Sequence, residues 1–131
     1  MNEKPKILIT DDSEINRALL KEILGDGYDY LEAEDGAAAV ELMRQRTDIS
    51  LLLLDLMMPG MDGYEATRAI RLSDKSDAAD IPIIALTANA FSEDVQAAHD
   101  AGMNAHLPKP LDFDKLKSML ARIRQHGAAS L

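Results

Sequence analysis

Five short apolar segments alternate along this chain with five stretches in which apolar residues recur at helical spacing. Continuous or alternating apolar runs mark strands, and recurrence every three to four residues marks the buried face of a helix, so the pattern predicts five βα units. The strands are expected at Lys6 to Thr10, Tyr28 to Ala33, Leu51 to Leu54, Pro82 to Leu86 and Ala105 to Leu107. Such alternation gives an α/β fold, a parallel sheet covered on both faces. Tyr28-Asp29-Tyr30-Leu31-Glu32-Ala33 mixes polar with apolar residues and suits a sheet edge, whereas Leu51 to Leu54 reads as a fully buried strand.

Helix boundaries are marked as well. Ser13, Asp35, Asp62, Ser92 and Asp112 each stand where a side-chain oxygen can cap a helix N-terminus, and Asp62 with Glu65 has the pattern of a capping box. Gly25, Gly102 and Gly127 follow periodic stretches and suit helix C-caps. Phe113, Leu116, Leu120 and Ile123 supply the last helix with one apolar stripe. The polar stretch Ser73 to Asp80 reads as an exposed connector.

At 131 residues the chain fits one domain, with a core spanning residues 5–126 and a tail or linker start at 127–131. Its 23 acidic and 14 basic side chains leave a formal charge of −9, which argues against nucleic-acid binding through a basic face and favours a cationic partner. Cysteine is absent, which excludes thiol chemistry and fits a reducing compartment, so a cytoplasmic location is expected. No apolar run approaches the roughly 18 residues of a membrane span. The start, Met1 to Lys6, is polar and lacks the apolar core of a signal peptide.

The chemistry lies where the strands end. Asp55 interrupts the run Leu51-Leu52-Leu53-Leu54-Asp55-Leu56-Met57-Met58, and an ionised carboxylate taken out of water without a partner is costly. Pro59-Gly60 closes the strand, which places Asp55 at its carboxyl end, where open α/β sheets bind ligands. Because parallel strands share one direction, Asp11-Asp12, Asp55, Thr87 and Lys109-Pro110 all gather at that edge. Two carboxylates about 4 Å apart repel by roughly 4 kcal/mol at an effective dielectric of 20, and Lys109 alone cannot offset three of them. The cluster therefore calls for a cation. An all-oxygen donor set without His or Cys favours Mg²⁺ or Mn²⁺ over zinc, and Mg²⁺ commonly completes its shell with phosphate oxygens.

Asp11-Asp12, Asp55 followed by Met58-Pro59-Gly60-Met61-Asp62-Gly63, Leu86-Thr87-Ala88, and Lys109-Pro110 stand in the order and separation of one family. Over essentially its whole length the chain resembles the receiver domains of two-component response regulators, the chemotaxis regulators among them. The resemblance implies a flavodoxin-like doubly wound sheet of five parallel strands, order 2-1-3-4-5, with five helices. It implies that Asp55 accepts a phosphoryl group from the phosphohistidine of a histidine kinase or histidine phosphotransfer domain. Asp12, Asp55 and the backbone carbonyl of Met57 would ligate Mg²⁺ directly, and Asp11 through a water. Lys109 and Thr87 would meet phosphoryl oxygens, and a cis Lys109–Pro110 peptide would aim the lysine inward.

Thr87 would also act as a switch by moving toward the phosphoryl group and vacating space for the side chain at position 106. The readout surface would then be helix four, strand five and helix five, residues 92–101 and 105–123. Family members usually carry Tyr or Phe three residues before the site lysine, and here that residue is His106. Met57 and Asn89 occupy positions that tune dephosphorylation in the family. The expected role is that of a phosphoacceptor assisting its own phosphorylation and dephosphorylation, not an enzyme, with a downstream protein partner, no output domain, no nucleic acid and no membrane insertion.

Other classes fit the sequence less well. A flavin module of the same sheet order would need a Ser/Thr/Gly-rich loop after strand one, where Asp11-Asp12 would repel a phosphate. The G-x-x-x-x-G-K-[ST] of nucleotide hydrolases is missing, and an aspartyl-phosphate hydrolase would place an acid where Met57 stands. The remaining alternative is a degenerate receiver acting only as a binding module. Ile84 to Ala90 and Leu107 to Leu111 resemble receivers of hybrid histidine kinases more than those fused to DNA-binding domains. His99 and His126 are expected to be solvated.

Overall fold

Pairing between neighbouring strands, rather than apolar content alone, sets the strand limits in the computed structural model, which describes residues 4–46, 48–55, 63–72, 81–87, 92–108 and 113–126. The strands are β1 (Lys6–Thr10), β2 (Asp29–Ala33), β3 (Ile49–Asp55), β4 (Ile83–Thr87) and β5 (Ala105–Pro108). The helices are α1 (Glu14–Leu24), followed by a 3₁₀ turn at Gly25–Gly27, α2 (Gly36–Gln45), α3 (Gly63–Arg71), α4 (Ser92–Ala101) and α5 (Phe113–His126). All pairings are parallel and the strand order is β2-β1-β3-β4-β5, as the family resemblance implied. The mixed segment Asp29–Ala33 is an edge strand, as its pattern predicted.

β3 is longer than its apolar core. It begins at Ile49, where pairing with Lys6 precedes a register shift before Ile7, and Ser50 within it is exposed. At the other end Asp55 is itself a ladder residue, paired with Leu86 of β4. The expected strand Leu51 to Leu54 is therefore the buried centre of a longer one.

Alternation along the strands divides the core into two layers. Leu8, Leu52, Leu54, Ile83 and Ala85 pack with Ala39, Val40 and Met43 of α2 and Ala66 and Ile70 of α3. Ile7, Ile9, Leu51, Leu53, Ile84, Leu86 and Leu107 pack with Leu20 and Leu24 of α1 and Leu116 and Leu120 of α5. The expected α5 stripe is thus seated at Leu116 and Leu120, with Ile123 packed at its margin. Burying one such side chain contributes on the order of 1.5–3 kcal/mol.

Ser13 caps α1 by accepting from the Asn16 N–H at 3.2 Å, and Asp35 caps α2 by accepting from the Ala38 N–H at 2.8 Å. Gly25 ends α1 with φ of 80°, and its N–H donates to the Lys21 carbonyl. Gly102 closes α4 with φ of 110°, a conformation that suits glycine. Ser92 is the first residue of α4 rather than the cap before it. Asp62, Asp112, Gly127 and the connector 73–80 lie outside the described residues. No helix among the described residues is long and apolar enough to cross a membrane.

Candidate functional site

Register alone brings the first two acids together. β1 ends with Thr10 opposite Leu54 of β3, so the next residue on each strand, Asp11 and Asp55, arrives at the same level of the sheet edge. One carboxylate oxygen from each of Asp11, Asp12 and Asp55 lies within 4.8 Å of the others. Asp11 is 1% and Asp55 4% exposed, while Asp12 faces solvent. Charges at that spacing repel by about 3–4 kcal/mol per pair at an effective dielectric near 20. Three hard oxygen donors, two of them withdrawn from water and one open, fit a divalent cation of the Mg²⁺ type that keeps part of its water shell.

Asp11 is held at each of its polar groups. Its N–H donates to the Ala33 carbonyl of β2 at 3.1 Å. Oδ1 accepts from the Ser13 N–H at 2.9 Å and Oδ2 from the Asn16 side-chain amide at 3.5 Å. The positive end of α1 thus points at this carboxylate. Its carbonyl accepts from Arg17 Nη1 at 2.6 Å.

Arg17 in turn donates through Nε to Glu32 Oε1 of β2 at 3.1 Å, and Lys21 Nζ donates to Glu32 Oε2 at 2.9 Å. Hydrogen bonding from Lys21, opposed by burial and reinforced by Arg17, holds the Glu32 carboxyl below its ordinary value. Among the described residues Asp12 makes no hydrogen bond of its own, so its placement follows from the backbone it hangs on.

Of the residues expected at the site, the structure brings Asp11, Asp12 and Asp55 together. The Thr87 backbone closes β4 opposite Pro108, one step past Leu86, the partner of Asp55. His106 is half-buried in β5 opposite Ala85. Met57, Asn89, Lys109 and the Lys109–Pro110 peptide lie outside the described residues.

Sequence reasoning missed Asn16, Arg17 and Glu32. One signal was available for Arg17: with Leu20 and Leu24 it falls on the inward face of α1, and a charged residue on an apolar face calls for a partner. Ile15 and Leu19, one turn apart on the outer face of α1, are 80% and 50% exposed.

Comparison with known proteins agrees with this geometry. The response regulator receiver domain family matches residues 7–121, and the chain belongs to that family as a phosphoacceptor receiver domain of the two-component type. It is 43% identical over 124 residues to the sensor protein EvgS of Escherichia coli K12, covering 94% of this chain and 10% of that protein. The chain thus spans about a tenth of the length of the curated relatives it matches.

Among solved structures, the receiver domain of sensor histidine kinase PA1611 from Pseudomonas aeruginosa, with a magnesium ion coordinated in its active-site cleft, has TM-score 0.81 and 35% identity, covering 92% of this chain and 97% of that one. The receiver domain of Saccharomyces cerevisiae Ssk1, solved with the histidine phosphotransfer signaling protein Ypd1, has TM-score 0.77 and 31% identity, covering 87% and 84%.

Proposed function

We propose that Asp55 is the phosphoacceptor, taking a phosphoryl group from the phosphohistidine of a histidine kinase or histidine phosphotransfer domain. The observation that carries this is the convergence of Asp11, Asp12 and Asp55, with Asp55 buried at the end of β3 between two other ladder strands. In the transfer an Asp55 carboxylate oxygen bonds to phosphorus as the histidine N–P bond breaks. The imidazole nitrogen keeps the electron pair and takes a proton from solvent.

Asp12, Asp55 and the Met57 carbonyl, with Asp11 through a water, would hold Mg²⁺, or Mn²⁺ of the same hard class, which would supply positive charge to offset that on the phosphoryl oxygens. Asp55 is oriented by the β3–β4 ladder, so little reorganisation is needed at the moment of transfer. Lys109 and the Thr87 hydroxyl are assigned the remaining oxygens, and with them the chain assists its own phosphorylation and dephosphorylation.

Thr87 and His106 carry the change outward to α4, β5 and α5, where a downstream protein reads it. The exposed pair Ile15 and Leu19 of α1, the helix that follows Asp12 in the chain, offers the donor protein apolar contact. This reading carries with it a cytoplasmic location, which the absence of cysteine fits.

The test is intact-mass spectrometry after incubation with acetyl phosphate, with and without Mg²⁺, on wild type and Asp55→Asn. A Mg²⁺-dependent gain of one phosphoryl group in wild type and none in Asp55→Asn is expected. Equal phosphorylation of the variant would refute the assignment. No gain in wild type with either acetyl phosphate or a phosphorylated kinase would leave a binding module that has lost the chemistry.

A further inference from the structure

The burial of Arg17 needs a reason beyond packing. It is 7% exposed on an α1 face otherwise formed by Leu20 and Leu24, where an apolar side chain would continue the stripe. Arg17 is buried although its partner Glu32 is exposed, and replacing a buried charge and its partner by well-packed apolar groups is often neutral or stabilising, so stability alone does not account for a guanidinium here. Its two directed contacts provide another account. Nη1 holds the Asp11 carbonyl at 2.6 Å, and Nε holds Glu32 of β2 at 3.1 Å. The Asp11 N–H is bonded to Ala33, the residue after Glu32, so both backbone groups of Asp11 are tied to β2, one directly and one through Arg17.

The Asp11 carbonyl and the Asp12 N–H share one planar peptide. Fixing the oxygen fixes the plane from which the Asp12 Cα departs. Asp12 is exposed and has no hydrogen bond of its own among the described residues, so this plane is what places its carboxylate against Asp11 and Asp55. Arg17 also brings a positive charge to the backbone between two carboxylates without bonding to the carboxylate of either.

We infer that Arg17 is a positioning residue for the acidic site: by bracing the Asp11 carbonyl against Glu32 it orients the Asp11–Asp12 peptide and so sets the affinity for the divalent cation. This rests on the reading of the site given above. Outer residues of this kind typically change metal affinity 10–100-fold when removed. Lysine is not an equivalent replacement, because one ammonium on a flexible stem lacks the planar fork that spans both acceptors.

Titration calorimetry of MgCl₂ into protein without phosphodonor tests this on wild type, Arg17→Met, Arg17→Lys and Glu32→Gln, with thermal denaturation in EDTA run beside it. Arg17→Met is expected to raise the Kd for Mg²⁺ by about tenfold or more. Arg17→Lys and Glu32→Gln should raise it less, in the same direction, and independently of any change in Tm. A folded Arg17→Met with a Kd within about twofold of wild type overturns the inference however far its Tm falls, since packing alone would move only the Tm. Should Arg17→Met not fold, Arg17→Lys and Glu32→Gln decide by the same criterion. Wild type that binds Mg²⁺ while the variants match it overturns this inference alone; wild type that binds none overturns the site reading and this inference with it.

Discussion

At the amino edge of the sheet, Lys6 and Arg46 close on Asp48, and Arg71 donates to the Ile81 and Gly102 carbonyls and to the Asn104 side chain; at the carboxyl edge, Asp11, Asp12 and Asp55 crowd within 4.8 Å. Both edges are polar, and at both a residue at or next to an end of β1 meets one at or next to an end of β3. The first settles its charges internally, each cation meeting a carboxylate or carbonyl oxygen. At the second, the described polar groups hold Asp11 in place, and three carboxylates lie within 4.8 Å of one another. Among the described residues the two edges therefore differ less in how polar they are than in whether unlike or like charges are brought together.

The largest expected effect of breaking this contrast is at the amino edge. Arg71 bonds to the Ile81 carbonyl at 2.6 Å, the Gly102 carbonyl at 2.9 Å and Asn104 Oδ1 at 2.8 Å, and Asn104 Oδ1 also accepts from the Ile83 N–H at 2.8 Å. Arg71→Ala strips acceptors that are partly buried and should cost about 2–4 kcal/mol in denaturant unfolding. Its Mg²⁺ affinity should match wild type, and a lowered affinity would mean that the two edges are coupled.

At the carboxyl edge the sign reverses. Asp12→Asn removes one of three like charges and should raise metal-free stability by about 1 kcal/mol or less, because Asp12 is exposed and screened. The same variant should lose most of the stabilisation that Mg²⁺ gives wild type through preferential binding to the folded state. Thermal scans in EDTA and in excess Mg²⁺ read both effects, and a destabilised metal-free variant would show that repulsion is already offset within the chain.

The smallest effect is expected at Asp48. Hydrogen bonds from Arg46 and Lys6 hold its carboxyl far below the usual carboxylate range. A carboxyl depressed on folding stabilises the protein above its unfolded value, near 4, and loses that contribution as pH falls through the lower folded value. Wild type should therefore lose stability below about pH 4, and Asp48→Asn should lose less over the same interval. Thermal scans from neutral pH to pH 3 check this; equal slopes would show that the surface cluster contributes nothing.

Much of the fold was legible because it rests on local rules. The alternation of apolar segments marked five strands, the mixed composition of Tyr28 to Ala33 marked an edge, and Ser13, Asp35 and Gly25 marked helix ends. Less legible were features that depend on a neighbour. β3 reaches back to Ile49 because Lys6 pairs with it, and forward to Asp55 because Leu86 does. The carboxylates at the carboxyl edge were legible as soon as the strands were taken as parallel, since strand direction sends their ends to one place. The groups that brace them were not, because Arg17 and Glu32 lie 15 residues apart on different elements.

The order of residues along the chain was thus sufficient to determine the alternating architecture, the edge at which chemistry gathers and the acidic residues that gather there, because hydrophobic period, capping and strand direction act over short range. Only the tertiary structure decided that Asp11 is held at its N–H, its carbonyl and its carboxylate, and that a buried guanidinium braces it against β2. Those are contacts between side chains and backbone atoms brought together by packing, and a pattern along one dimension does not carry the distances that make them.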